Sequence, residues 1–120
     1  MNNPPKFGFI LEYVTDIEAA QRYYVEVLGF EVERAHPVFV QFKDHFAIAG
    51  DESLSGTRDP EVYWLVDDAE AAFKELSPKV EIIFPLKQMS FGKVFAIKDP
   101  AGQPLYLLEF ARERPSQPVK

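Results

Sequence analysis

The chain has 120 residues, 47% of them hydrophobic, which is the length and composition of one globular domain able to bury its own core. It contains no Cys, which excludes a disulfide framework, a thiolate metal site and a cysteine nucleophile. Its formal net charge of −6 repels phosphate backbones and anionic lipid, so nucleic acid and membrane are not expected as partners and cationic molecules are favoured.

Met1 to Lys6 forms a proline-containing leader without the pattern of a signal peptide, and no apolar run is long enough to span a bilayer, so a cytoplasmic location is expected. Phe7 to Val14 alternates as a strand, with Phe7, Phe9, Leu11 and Tyr13 on one face and Gly8, Ile10, Glu12 and Val14 on the other. Thr15 to Leu28 reads as a helix. Thr15 and Glu18 have the spacing of a reciprocal cap, Ile17, Ala20, Tyr24, Val27 and Leu28 share one face, and Gly29 supplies a left-handed stop. Three short strands follow, Phe30 to Arg34, Val38 to Phe42 and His45 to Ala49, separated by turns at His36-Pro37 and Lys43-Asp44.

Residues 51–60 are a polar, Gly- and Ser-containing linker. Beyond it the pattern starts again. Glu61 to Val66 is a strand, Asp68 to Leu76 a helix stopped by Pro78, and Val80 to Leu86, Lys93 to Ile97 and Leu105 to Phe110 are strands, before a loose tail over residues 112–120. Asp68-Ala69-Glu70-Ala71-Ala72-Phe73-Lys74 repeats Asp16-Ile17-Glu18-Ala19-Ala20-Gln21-Arg22 at an offset of 52 residues. The chain is therefore read as two copies of one strand-helix-three-strand module, residues 7–50 and 61–110. This is an α+β domain in which two βαβββ modules form a curved mixed sheet around a cleft. How the modules pair is left open by the pattern.

Tyr23-Tyr24 followed by Leu28-Gly29-Phe30, the Phe91-Gly92-Lys93 turn, Asp99-Pro100-Ala101-Gly102 and the Leu107-Leu108-Glu109 strand resemble the vicinal oxygen chelate superfamily. That group includes glyoxalase I, extradiol dioxygenases, fosfomycin resistance enzymes and bleomycin resistance proteins, and the resemblance runs from the first strand to the last. It implies the glyoxalase/bleomycin resistance/dihydroxybiphenyl dioxygenase fold. In the metalloenzymes of this group, His and Glu side chains on the first strand of each module and on the last strands hold a divalent ion in the cleft. Carried over, those positions fall on Phe9, Glu61, Ile48 (with Ala47 or Ala49 one residue away) and Tyr106. Of these only Glu61 can ligate a hard cation, whereas even an open catalytic zinc takes three protein ligands.

The two His residues, His36 and His45, lie at turns and form no His-x-His or His-x-x-x-His pair, and no Ser occupies a strand-to-helix elbow. No catalytic residue, metal or cofactor is expected. The cleft is instead expected to bind a small molecule through Phe9, Ile48, Glu61, Tyr63, Phe91 and Tyr106, an aromatic surface with one acidic anchor suited to a cationic or aromatic ligand. The competing reading makes Phe9, Ile48 and Tyr106 plain core. Trp64 points with Val62 and Val66 to the opposite face, toward a helix. The resemblance is closest to the metal-free bleomycin-resistance-like members, which sequester a ligand as homodimers. A metal-dependent glyoxalase or dioxygenase is the alternative, and an assembly role through an exposed sheet edge is a third class.

Overall fold

The structure, a computed structural model, describes residues 3–50 and 57–111. The proposed tail and most of the proposed linker, 51–56, lie outside the described residues. The elements are β1 (Lys6–Tyr13), α1 (Ile17–Arg22), a π-helical turn (Tyr23–Val27), β2 (Val32–His36), β3 (Phe39–Phe42), β4 (Phe46–Ala49), β5 (Glu61–Leu65), α2 (Ala69–Leu76), β6 (Ile82–Met89), β7 (Gly92–Lys98) and β8 (Pro104–Phe110). Among the described residues no helix is long and apolar enough to cross a membrane.

All eight strands join one sheet in the order β2-β3-β4-β1-β5-β8-β7-β6. Each module's first strand runs parallel to its last, β1 beside β4 and β5 beside β8, and the two modules meet where β1 pairs antiparallel with β5. The sheet is curled. Phe39 on β3 stacks on Phe91 beside β7 and reaches Phe110 on β8, contacts that a flat sheet would hold several strands apart. Both helices lie on the convex face: α1 covers Val40, Phe42 and Ile48, while α2 covers Phe95 and Leu107.

Several local expectations shift. The first helix is capped by Asp16, whose carboxyl accepts the Ala19 amide at 3.0 Å, and not by Thr15. Asp68 does the same for Ala71 at 3.0 Å, so the repeat extends to the caps. The first helix is also not continuous to Leu28. A π turn takes more residues per revolution and so rotates the residues beyond it: Ile17, Ala20 and Tyr24 stay on the core while Val27 and Leu28 swing out, 65% and 49% exposed. The hydroxyl of Tyr24, donated to Glu12 at 2.6 Å, ties this turn to β1.

Phe7 does not share the face of Phe9. A bulge between them against β5 turns Phe7 to the convex side, where it meets the Trp64 and His45 rings. The second strand begins at Val32 in place of Phe30, and β6 runs on to Met89. β6 tolerates Pro85 because it is an edge strand. His45 belongs to the β3–β4 turn and not to the strand: Asp44 and His45 are left-handed, with φ of 72° and 69°. The strained turn is held down, since His45 Nδ1 lies 3.0 Å from the Gly8 carbonyl and the His45 carbonyl accepts the Ile10 amide.

Candidate functional site

The concave face is where the sequence places a cleft, and alternation delivers its expected occupants. Phe9 and Tyr63 pair across β1 and β5, Tyr63 and Tyr106 across β5 and β8, so one register row carries three aromatic rings. They stack at 5.3 and 5.1 Å between centroids, with interplanar angles of 16° and 20°. Phe39 and Phe91 stack at 4.5 Å on the other side of Phe9. All five side chains are buried, so the concave face is packed with aromatic rings and is not an open cleft. Phe91 is thus an anchor of the core.

Glu61 lies in the next row, paired with Leu11. It is only 5% exposed, and its Oε1 accepts two hydroxyls, from Tyr13 at 2.6 Å and from Tyr63 at 3.0 Å. A buried acidic group is costly unless its acceptors are satisfied, and the two phenols supply that here. Burial pushes the Tyr63 phenol far above its ordinary range, and Tyr13 and Glu61 beside it push the same way. Tyr63 is therefore a fixed hydrogen-bond donor at physiological pH. Tyr13, whose alternation with Phe9 was legible, has a partner that only the β1–β5 register could reveal.

Ile48 is corrected outright. Because β4 begins at Phe46, Ile48 pairs beside Glu12 on the convex face under α1, and Ala47 and Ala49 face the concave side. With Ile48 turned away, the positions that the resemblance assigns to a divalent ion are Phe9, Ala47 or Ala49, Glu61 and Tyr106. They do not fit a metal. One acidic side chain already engaged by two phenols, two hydrocarbon side chains and a tyrosine fall short of a coordination set, and no three His, Cys, Asp or Glu converge among the described residues.

A groove of about 650 Å³ opens at the beginnings of the parallel strands β5 and β8. Asp59, Glu61 and Asp99 contribute acidic residues to its lining, and Val62, Trp64, Leu105 and Tyr106 contribute apolar and aromatic ones. Two of the six predicted residues, Glu61 and Tyr106, therefore border an open space, and four do not. Asp99 is positioned by its own turn: its Oδ1 accepts the Ala101 and Gln103 amides at 2.9 and 2.8 Å. Trp64 packs toward the α2 cluster as its alternation required, yet it also lines the groove. Asp59 and Asp99 carried no signal that placed them together, because they precede strands 43 residues apart that only the sheet order makes neighbours.

The sequence profile of the Glyoxalase/Bleomycin resistance protein/Dioxygenase superfamily matches residues 6–107, and the chain belongs to that superfamily. No curated protein matches it significantly. Among solved structures it resembles an NAD-dependent benzaldehyde dehydrogenase from Legionella pneumophila, with a TM-score of 0.66 and 24% identity over 90% of this chain and 100% of that one. A glyoxalase/bleomycin resistance protein/dioxygenase superfamily member from Vibrio splendidus 12B01 gives 0.55 and 22% over 88% and 99%. Methylmalonyl-CoA epimerase from Mycobacterium tuberculosis gives 0.61 and 18% over 89% of each chain. Likeness at this identity is likeness of fold.

Proposed function

We propose that this member of the superfamily binds a small cationic, aromatic molecule in the groove at the start of β5 and β8, without a metal ion and without turning the ligand over. The observation that carries the reading is the lining: three acidic residues, Asp59, Glu61 and Asp99, and the aromatic Trp64 beside the nearly buried Tyr106, with no Lys or Arg among the described lining residues. Aromatic faces and acidic groups both favour a cation, and the apolar walls accept its hydrocarbon part. Glu61 contributes less directly than its position suggested, because its Oε1 is occupied by Tyr13 and Tyr63. Asp59 is the exposed member and takes the anchoring role. A bleomycin-resistance-like sequestering role is in keeping with such a site.

The test uses the single Trp of the chain, which lines the groove. Benzyltrimethylammonium and its uncharged isostere neopentylbenzene are titrated against the intrinsic fluorescence. The cation should bind at least tenfold more tightly, a difference of about 1.4 kcal/mol, and Asp59→Asn should erode most of that preference. Equal affinity for the two compounds, or a preference untouched by Asp59→Asn, overturns the reading.

A further inference from the structure

Phe7, Ile10 and Val62 are 40%, 44% and 42% exposed, although β1 and β5 are the middle strands of the sheet. Alternation puts Ile10 and Val62 on the convex side, because Phe9, Leu11 and Tyr63 face the concave core, and the β1 bulge brings Phe7 to the same side. The two helices explain the exposure. α1 packs over β3 and β4, and α2 over β7 and β8, so the β1–β5 seam is left as a trough with a helix on either side. Each wall stands about 10 Å high, the width of a helix.

Apolar side chains cross this trough in one row. Ile10 pairs with Val62 on β5 and with Phe46 on β4, and Leu105 on β8 lies beside Val62, since the residues that follow them, Tyr63 and Tyr106, are paired. Three steps between neighbouring strands make the row about 14 Å long. Phe7 and the Trp64 ring, 5.5 Å apart, flank it. Val62, Trp64 and Leu105 also line the acidic groove, so the row starts inside the groove and leaves it toward Ile10. Charge is concentrated at the groove end: Asp59 and Asp99 border it there, whereas Glu12, on the same face of β1 as Ile10, is engaged by the Tyr24 hydroxyl.

We propose that the ligand of the groove is an amphiphilic cation, its head held at Asp59 and Asp99 and a linear hydrocarbon tail laid across Val62 and Ile10 toward Phe46. This rests on the groove being the seat of a cation and adds the chemical class of the molecule bound. A tail in the trough would cover apolar surface at Val62 and Ile10 that folding leaves wet. A free single-chain amphiphile suits the seam better than a bilayer does, because the flanking helices hold a flat surface away from it and the net charge of −6 repels anionic lipid.

Butyl-, hexyl- and octyltrimethylammonium, each below its micellar concentration, are titrated against the Trp64 fluorescence, with benzyltrimethylammonium as the cation without a tail. A fully buried methylene strengthens binding about fourfold, so half-burial gives about twofold per carbon and at least tenfold from butyl to octyl. Asp59→Asn should weaken every member of the series by a similar factor. Ile10→Asn should reduce the octyl-to-butyl ratio about threefold or more and leave benzyltrimethylammonium unchanged. Ile10→Thr, which keeps the branched shape, takes its place should the Asn variant fail to fold. A flat series in a protein that still binds benzyltrimethylammonium through Asp59 overturns the tail site alone and leaves the groove reading standing. A steep series untouched by Asp59→Asn, or no binding by any of the cations, overturns both. An octyl-to-butyl ratio unchanged by the Ile10 variants overturns the tail site, as does an oligomer that Ile10→Asn converts to monomer, which would put a second chain over the seam. Co-sedimentation of the protein with phosphatidylcholine vesicles would assign the seam to a bilayer and overturn it equally.

Discussion

Tyr24 and Glu12 show how one hydrogen bond sets a pH limit on this molecule. The contact with Glu12, then burial, then the charge of Glu12 push the Tyr24 phenol from its ordinary value of 10.0 up to about 12. Below pH 10 the phenol is protonated in both folded and unfolded chains, and its contribution to stability is complete. Between pH 10 and 12 the unfolded chain releases the proton while the folded chain holds it, so that contribution is lost as pH rises. The stability gap between the wild type and Tyr24→Phe should thus be constant below pH 9 and narrow through pH 10 to 12, as read by urea denaturation. A gap that stays constant to pH 12 would show that the phenol carries no such linkage. Tyr63, which burial keeps protonated in the folded chain, adds its own loss above pH 10, and the comparison with Tyr24→Phe cancels that loss because both variants carry Tyr63.

Both helices start with the same device, yet they are not equally secured. Asp16 and Asp68 each accept one amide of the first turn, but α2 has a second acceptor, because Glu109 on β8 takes the Ala69 amide at 2.9 Å. Acidic side chains there also favour the helix dipole. Asp68→Ala should cost about 1 kcal/mol, Glu109→Gln somewhat less, and the pair together more than the sum of the two, measured as shifts in urea midpoint. The coupling arises because either acceptor can partly cover for the other within one turn. Strict additivity would mean the two act independently. The six-residue α1 has no equivalent support among its described contacts, and it hands over to the π turn after Arg22.

The whole molecule is a sheet curled around aromatic rings, with a small acidic and aromatic groove at the seam where β5 and β8 begin. Its donor set does not suit a divalent ion, so added nickel, zinc or manganese should leave the melting temperature unchanged. A site occupied at a hundredfold excess over its dissociation constant would stabilise by roughly 3 kcal/mol. A clear upward shift with any of these ions would therefore identify ligands that the concave face does not display. The same architecture, with metal-ligating side chains in place of Phe9, Tyr106 and Ala47 or Ala49, would read oppositely, which is why the residues at these positions and not the fold carry the functional argument.

The order of strands and helices in two modules was legible in the chain, because alternation and the 52-residue repeat are local or simply periodic signals, and the family was legible through motifs such as Leu28-Gly29-Phe30 and Asp99-Pro100-Ala101-Gly102. So was the one acidic side chain at Glu61. The side of the sheet on which Ile48 lies was not, since a single residue moved from strand to turn at His45 reverses the face of everything after it. Nor could the chain disclose that its cleft is full. Whether Phe9, Tyr63, Tyr106, Phe39 and Phe91 line a space or fill it depends on how far the sheet curls, a property of contacts between strands remote in sequence. The Tyr13–Glu61–Tyr63 cluster and the groove that Asp59 and Asp99 both line likewise exist only because β1 pairs with β5 and β5 with β8.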